Sequence, residues 1–190
     1  MVLWTIQPSE VYAAIETEGI YRCDNRRVDM LESFFGESYR WLVKQMREKI
    51  GNPPDGVEYP VWAWYKRNGR RHRPDLRRTG FGTRGDKLVC MEIDIPDNQV
   101  VLSDFDAWHF VLNKIYLDDS TNETEWNANN AAFDALPPEQ KQEAMEKSWN
   151  RIFDIEPVDN GWVRRGFYVQ ATFWELRREQ IKTIQPFTCR

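Results

Sequence analysis

Between Lys66 and Lys87 the chain places nine lysine or arginine residues and His72 against only two acids, Asp75 and Asp86. Nine cations less two acids give the segment +7, so the formal −4 of the whole chain leaves −11 elsewhere. Charge gathered this way in an acidic protein suits the phosphates of a nucleic acid or another polyanion, with Arg70, Arg71, Arg73 and Arg77 as the expected contacts. Trp62, Trp64 and Tyr65 immediately precede the segment, and rings beside a cationic groove suit single-stranded nucleic acid. The bland alternative is a solvated loop with both indoles in the core.

Other residues offer less. Glu175 is a carboxylate at the end of an apolar strand. Arg22 and Arg40 each follow a tyrosine and are candidate anion clamps. Asp75 and Arg77 in Pro74-Asp-Leu-Arg77 have the spacing of a structural ion pair, and His109 after Trp108 reads as a structural histidine. Cys23 has no local His or acid to activate it as a nucleophile. Cys23, Cys90 and Cys189 are odd in number and lack C-x-x-C spacing, and there are only two histidines, so neither a disulfide framework nor a metal site is expected. No apolar run approaches the ~20 residues that span a bilayer, and Met1 to Pro8 lacks the features of a signal peptide. The expectation is a soluble cytoplasmic protein without a metal.

These residues need elements to position them. At 190 residues the chain suits one domain over 1–190, and its 14% aromatic content is high. Val2 to Ile6 reads as a strand and Ser9 to Gly19 as a helix, with Ser9 as N-cap and Gly19 as stop. Ile20 to Cys23 suggests a short strand and Asp24 to Asp29 a loop. From Met30 to Ile50, Leu31, Phe34, Phe35, Leu42, Met46 and Ile50 recur at helical spacing, with an interruption suggested at Gly36, until Gly51-Asn-Pro-Pro-Asp-Gly56 breaks the pattern. Val61 to Tyr65 and Lys87 to Ile95 read as strands joined by the basic connection, which is too long for a hairpin loop.

Further on, Ser103 to Asp106 has capping-box character and opens a helix through Trp108, Val111, Leu112 and Ile115. Asp118 to Asn130 reads as a solvated loop, and Pro137-Pro138 starts a helix through Met145, Trp149 and Ile152. Phe167 to Trp174 is a strong strand, Glu179 to Ile181 a turn, and Lys182 to Phe187 a last strand. Irregular mixing of the two element types predicts α+β, with a mixed, mostly antiparallel sheet and flanking helices.

The strings Leu3-Trp-Thr-Ile-Gln7, Tyr59-Pro-Val-Trp-Ala-Trp-Tyr65, Pro74-Asp-Leu-Arg77, Leu102-Ser-Asp-Phe-Asp-Ala-Trp-His109 and Gln170-Ala-Thr-Phe-Trp-Glu175 resemble a bacterial and phage family known as domain of unknown function 3841. The likeness covers nearly the whole chain and implies no activity.

A fainter likeness is to ADP-ribosyltransferase-like proteins. It is carried by Leu3 to Gln7, the helix to Gly19, and Gln170-Ala-Thr172 before Gln180-Ile181. That resemblance implies a transferase taking NAD as substrate, with Thr5, Gln7, Arg22 and Arg40 binding it and Gln170 and Glu175 as catalytic residues. Thr5 stands where that family has His or Arg, and Thr172 where it has the catalytic Glu. Such an acid stabilises the positive charge that develops as nicotinamide leaves, and a threonine cannot. Glu175 is the nearest carboxylate, and strand alternation puts it opposite Gln170 unless a bulge intervenes. Two readings therefore stand: a transferase acting on a nucleic acid or protein held by the basic arm, or a non-catalytic nucleic-acid-binding module using that arm alone.

Overall fold

The computed structural model describes residues 1–23 and 29–190, with the backbone alone for 29–34. The loop expected from Asp24, and the side chains of Leu31 and Phe34, fall outside the described residues. In chain order the elements are β1 (Val2–Pro8), α1 (Ser9–Glu18), β2 (Ile20–Arg22), α2 (Asp29–Ile50), β3 (Val61–Lys66), β4 (Lys87–Asp94), β5 (Val101–Asp104) and α3 (Phe105–Leu112). Then follow α4 (Glu123–Asp134), α5 (Pro138–Ser148), β6 (Val158–Asp159), β7 (Arg164–Arg165), β8 (Val169–Phe173), β9 (Glu175–Arg177) and β10 (Ile181–Thr188).

The fold is α+β. Six strands form an antiparallel sheet in the order β10-β4-β1-β3-β8-β5, and β2 pairs with β9 in a separate ribbon. The two strands that flank the basic segment are not neighbours, because β1 lies between β3 and β4. The segment must therefore cross over β1. No helix among the described residues is long and apolar enough to cross a membrane.

Residues opposite each other in a ladder carry their side chains to the same side. Trp4 faces Trp64, Trp64 faces Gln170 and Gln170 faces Ser103, so these four share one face of the sheet. Leu3, Thr5 and Gln7 occupy the other face by alternation. On that second face α1 lays Val11 and Ile15 against Leu3, Met91, Ala171 and Phe173. On the first, Leu42 and Met46 of α2 and Trp108 and Val111 of α3 pack with Val101 and Trp174. Burying a side chain of this size contributes roughly 1.5–3 kcal/mol, which makes the two apolar layers the main source of stability.

Local chemistry sets the element ends, and in several places it differs from the expectation. Gly19 takes φ 77° and donates back to the carbonyl of Ile15, ending α1 as expected. The start of α1 lies one residue earlier, with Pro8 in the cap position and Ser9 making no capping bond. Gly36 does not interrupt α2, which runs unbroken to Ile50.

The cap of α3 is Asp104, not Ser103. The Asp104 carboxylate accepts from the Ala107 N–H at 2.8 Å and from the Gly166 N–H at 2.6 Å, while Ser103 still belongs to β5. The stretch read as a solvated loop after Asp118 contains α4. Asn122 accepts from the Glu125 N–H, and the Glu125 carboxylate accepts in turn from Thr121, so the first turn is closed by side chains. Its acidic first turn also complements the helix dipole.

Candidate functional site

The basic segment is fastened to the sheet rather than simply looped out. Arg67 and Arg70 bridge each other through their backbones, with N···O distances of 2.9 and 3.1 Å, and Gly69 donates to the Phe167 carbonyl at 2.8 Å. At the far end Gly85 donates to the Cys189 carbonyl, and the Asp86 carboxylate caps the Thr83 N–H. Phe81 packs edge-on against Phe187, 6.1 Å between ring centroids. The first anchor lies at the Val2 end of β1 and the second at its Pro8 end, so the arm is pinned at both ends of its crossing of the sheet.

Most of the arm's charge is not neutralised. Arg77 is the exception: its guanidinium donates to both Asp75 oxygens, at 2.8 and 2.9 Å, and holds that carboxyl well below the usual range. Arg70, Arg73, Arg78, Arg84 and Lys87 are exposed and have no ion-pair partner among the described residues. Arg71 lies over the Tyr65 ring at 4.3 Å, and Arg67 over Trp64 at 4.7 Å and Phe81 at 5.2 Å. Nη1 of Arg67 is enclosed without a hydrogen-bond partner, and burial lowers the pKa of this guanidinium. Rings next to the arm thus serve to hold its arginines. Trp62 is occupied differently, packed among Tyr39 and Trp108 at 6.3 and 5.5 Å.

The residues suggested by the transferase likeness are dispersed. Thr5 is fully buried, donating to the Trp62 carbonyl at 2.8 Å and accepting from Gln7 at 2.9 Å. Gln170 lies on the opposite sheet face, where its Oε1 is enclosed without a partner. Glu175 sits in the β2–β9 ribbon and is only 14% exposed. Arg22 meets it at 3.0 Å and Arg177 at 2.8 Å. Arg40 is exposed on α2 beside Gly36. The structure brings Arg22 to Glu175 and Gln7 to Thr5. Glu175 borders a cavity with Pro96, Gln99 and Trp174, which Thr5, Gln7 and Gln170 do not line.

Two further side chains are structural, and the first, His109, was expected to be. Nδ1 of His109 lies 2.9 Å from the Phe105 carbonyl, and its ring packs edge-on to Phe105 at 4.7 Å. Burial pushes the Cys90 thiol up to about 11, so it is inert at neutral pH.

Sequence reasoning missed a cavity of about 520 Å³ between α3, α4 and the β6–β7 hairpin. Asn160 shapes the hairpin turn by accepting from the Trp162 and Val163 N–H groups, and Gly161 supplies φ 83°. That turn projects Trp162, while α4 supplies Trp126 and α3 supplies Asp106 and Phe110. Burial, with Asp104 nearby, pushes the Asp106 carboxyl above its ordinary value. The signal available in the sequence was a tryptophan in each of two otherwise polar stretches.

A family model described as Domain of unknown function (DUF3841) matches residues 2–182. No curated protein and no solved structure matches.

Proposed function

Because the chain belongs to the DUF3841 family, whose description names no activity, we propose from the residues themselves that it binds single-stranded nucleic acid, with the Lys66 to Lys87 arm meeting the phosphates. The observation that carries this reading is the set of exposed arginines on the arm that have no carboxylate partner among the described residues. In a chain of formal charge −4 such a strap is a surface that draws an anion in. Arg67 adds to the argument. A partly enclosed guanidinium without a carboxylate is costly unless an anion reaches it. Arg71 on Tyr65 and Arg67 on Trp64 are held by their rings in fixed places, which lowers the entropy lost when a phosphate docks.

The transferase reading has less support, since Thr5 and Gln170 face away from each other across the sheet and Glu175 is engaged by two arginines. Binding of a labelled single strand measured at 50 and 200 mM salt tests the proposal. If four arm cations meet phosphates, affinity falls by about fiftyfold between the two conditions. A flat salt response would overturn it.

A further inference from the structure

We propose that the cavity between α3, α4 and the β6–β7 hairpin holds one unstacked, amine-bearing base of the strand whose phosphates lie on the arm. The inference rests on the nucleic-acid reading above, and its test separates the two.

Of the five exposed large apolar side chains among the described residues, four lie together and the fifth, Ile184, is elsewhere on β10. Phe110, Ile115, Trp126 and Trp162 are 39, 50, 46 and 44% exposed, and all four line this cavity. They come from α3 and the residues after it, α4 and the hairpin turn, so three separate segments converge on it. A concave site walled by aromatic side chains with a few polar groups is what a planar ligand occupies.

The polar groups narrow the ligand. Asp106 is exposed at the cavity and its carboxylate has no hydrogen-bond or ion-pair partner among the described residues, whereas Asp104 accepts from two backbone N–H groups, Asp118 from Ser120 and Asn129, and Asp119 pairs with Arg151. The cavity therefore offers one unused acceptor. Cytosine fits it, since its N4 amine donates to a carboxylate. Thymine and uracil present O4 to the carboxylate instead.

The cavity also joins the arm. Arg164, one of its walls, lies 4.6 Å from the Phe167 ring. Gly69, at the turn between Arg67 and Arg70, bonds to the backbone of that same Phe167. Gly69 of the arm and Arg164 of the cavity wall thus meet at one residue, Phe167, and an unstacked base of a strand on the arm stacks in the cavity on indole.

The test is fluorescence anisotropy of labelled oligocytidine and oligothymidine at fixed low salt, with wild type, Trp162→Phe, and the double variant Trp126→Ala, Trp162→Ala. Both tryptophans are exposed, so the variants fold. Oligocytidine affinity should fall about tenfold to a hundredfold in the double variant with an unchanged salt slope, and be largely retained in Trp162→Phe. Unchanged affinity in the double variant would overturn the proposal, and equal wild-type affinity for the two strands would overturn the amine preference. If the wild type bound no strand, the arm reading would fall, and free cytidine followed by tryptophan quenching would decide the cavity. Saturable quenching lost in the double variant keeps it as a base site; no quenching removes it.

Discussion

Replacing Arg70, Arg71 and Arg73 together with alanine should weaken single-strand binding several hundredfold at 50 mM salt and flatten the salt slope by about 2. Each phosphate contact on a single strand contributes about 0.7 to that slope, and at 50 mM this is worth about eightfold per contact. Three contacts multiply. All three arginines are exposed; among the described residues Arg71 meets the Tyr65 ring and the Val2 carbonyl, and none of the three has an ion-pair partner. The triple variant should therefore melt close to wild type, since surface changes of this kind stay within about 0.5 kcal/mol. Affinity and stability can be read on one preparation. Lost binding with an unshifted melt is the expected result, and retained affinity would show that the phosphates lie elsewhere.

The second large effect concerns the joint that fixes the cavity to the sheet. Gly166 has φ 75°, and a Cβ built there would lie 2.6 Å from the backbone oxygens of both Ile155 and Glu156. Backbone on both sides cannot give way as a flexible side chain would. Gly166→Ala should cost about 3 kcal/mol or more, combining the left-handed penalty with this overlap. Gly161→Ala, also at positive φ but with nothing within 4 Å, should cost only about 1–2 kcal/mol. Asp104→Ala attacks the same joint from the other side, removing the acceptor for the buried Ala107 and Gly166 N–H groups and costing about 2–4 kcal/mol. Denaturant midpoints for the three variants check the order, with Gly161→Ala the mildest.

How far the sequence could be read depended on how local each feature is. Charge on the arm is contiguous in the chain, so it was visible directly, as was the Asp75 to Arg77 pair. Apolar runs such as Val61 to Tyr65 and Leu88 to Met91 marked strands because a strand covered on both faces needs few polar positions. Their order was not legible. Placing β1 between β3 and β4 depends on pairings far apart in sequence.

α4 escaped because none of its residues is buried, so there is no apolar stripe to give a helical period. Its helix is set by capping at Asn122 and Thr121. The cap of α3 was misplaced by one residue because Ser103 and Asp104 are both good caps, and the second has a further partner, Gly166, that lies 62 residues away.

For the site, chain order alone grouped Thr5, Gln170 and Glu175. Parity decides otherwise once the register is known, because Trp4, and not Thr5, shares a row with Trp64 and Gln170. The cavity was illegible for the opposite reason: its walls are scattered from Asp104 to Arg165 and form no motif.

Photocross-linking of a thiouridine-substituted single strand, followed by mapping of the attached peptides, tests most directly whether the arm is the contact surface. Attachment should fall within Lys66 to Lys87, extend to the Trp162 to Phe167 region, and fade as salt is raised. Attachment confined to other surfaces, such as α1 or the outer edge of β10, with none on the arm, would contradict the account.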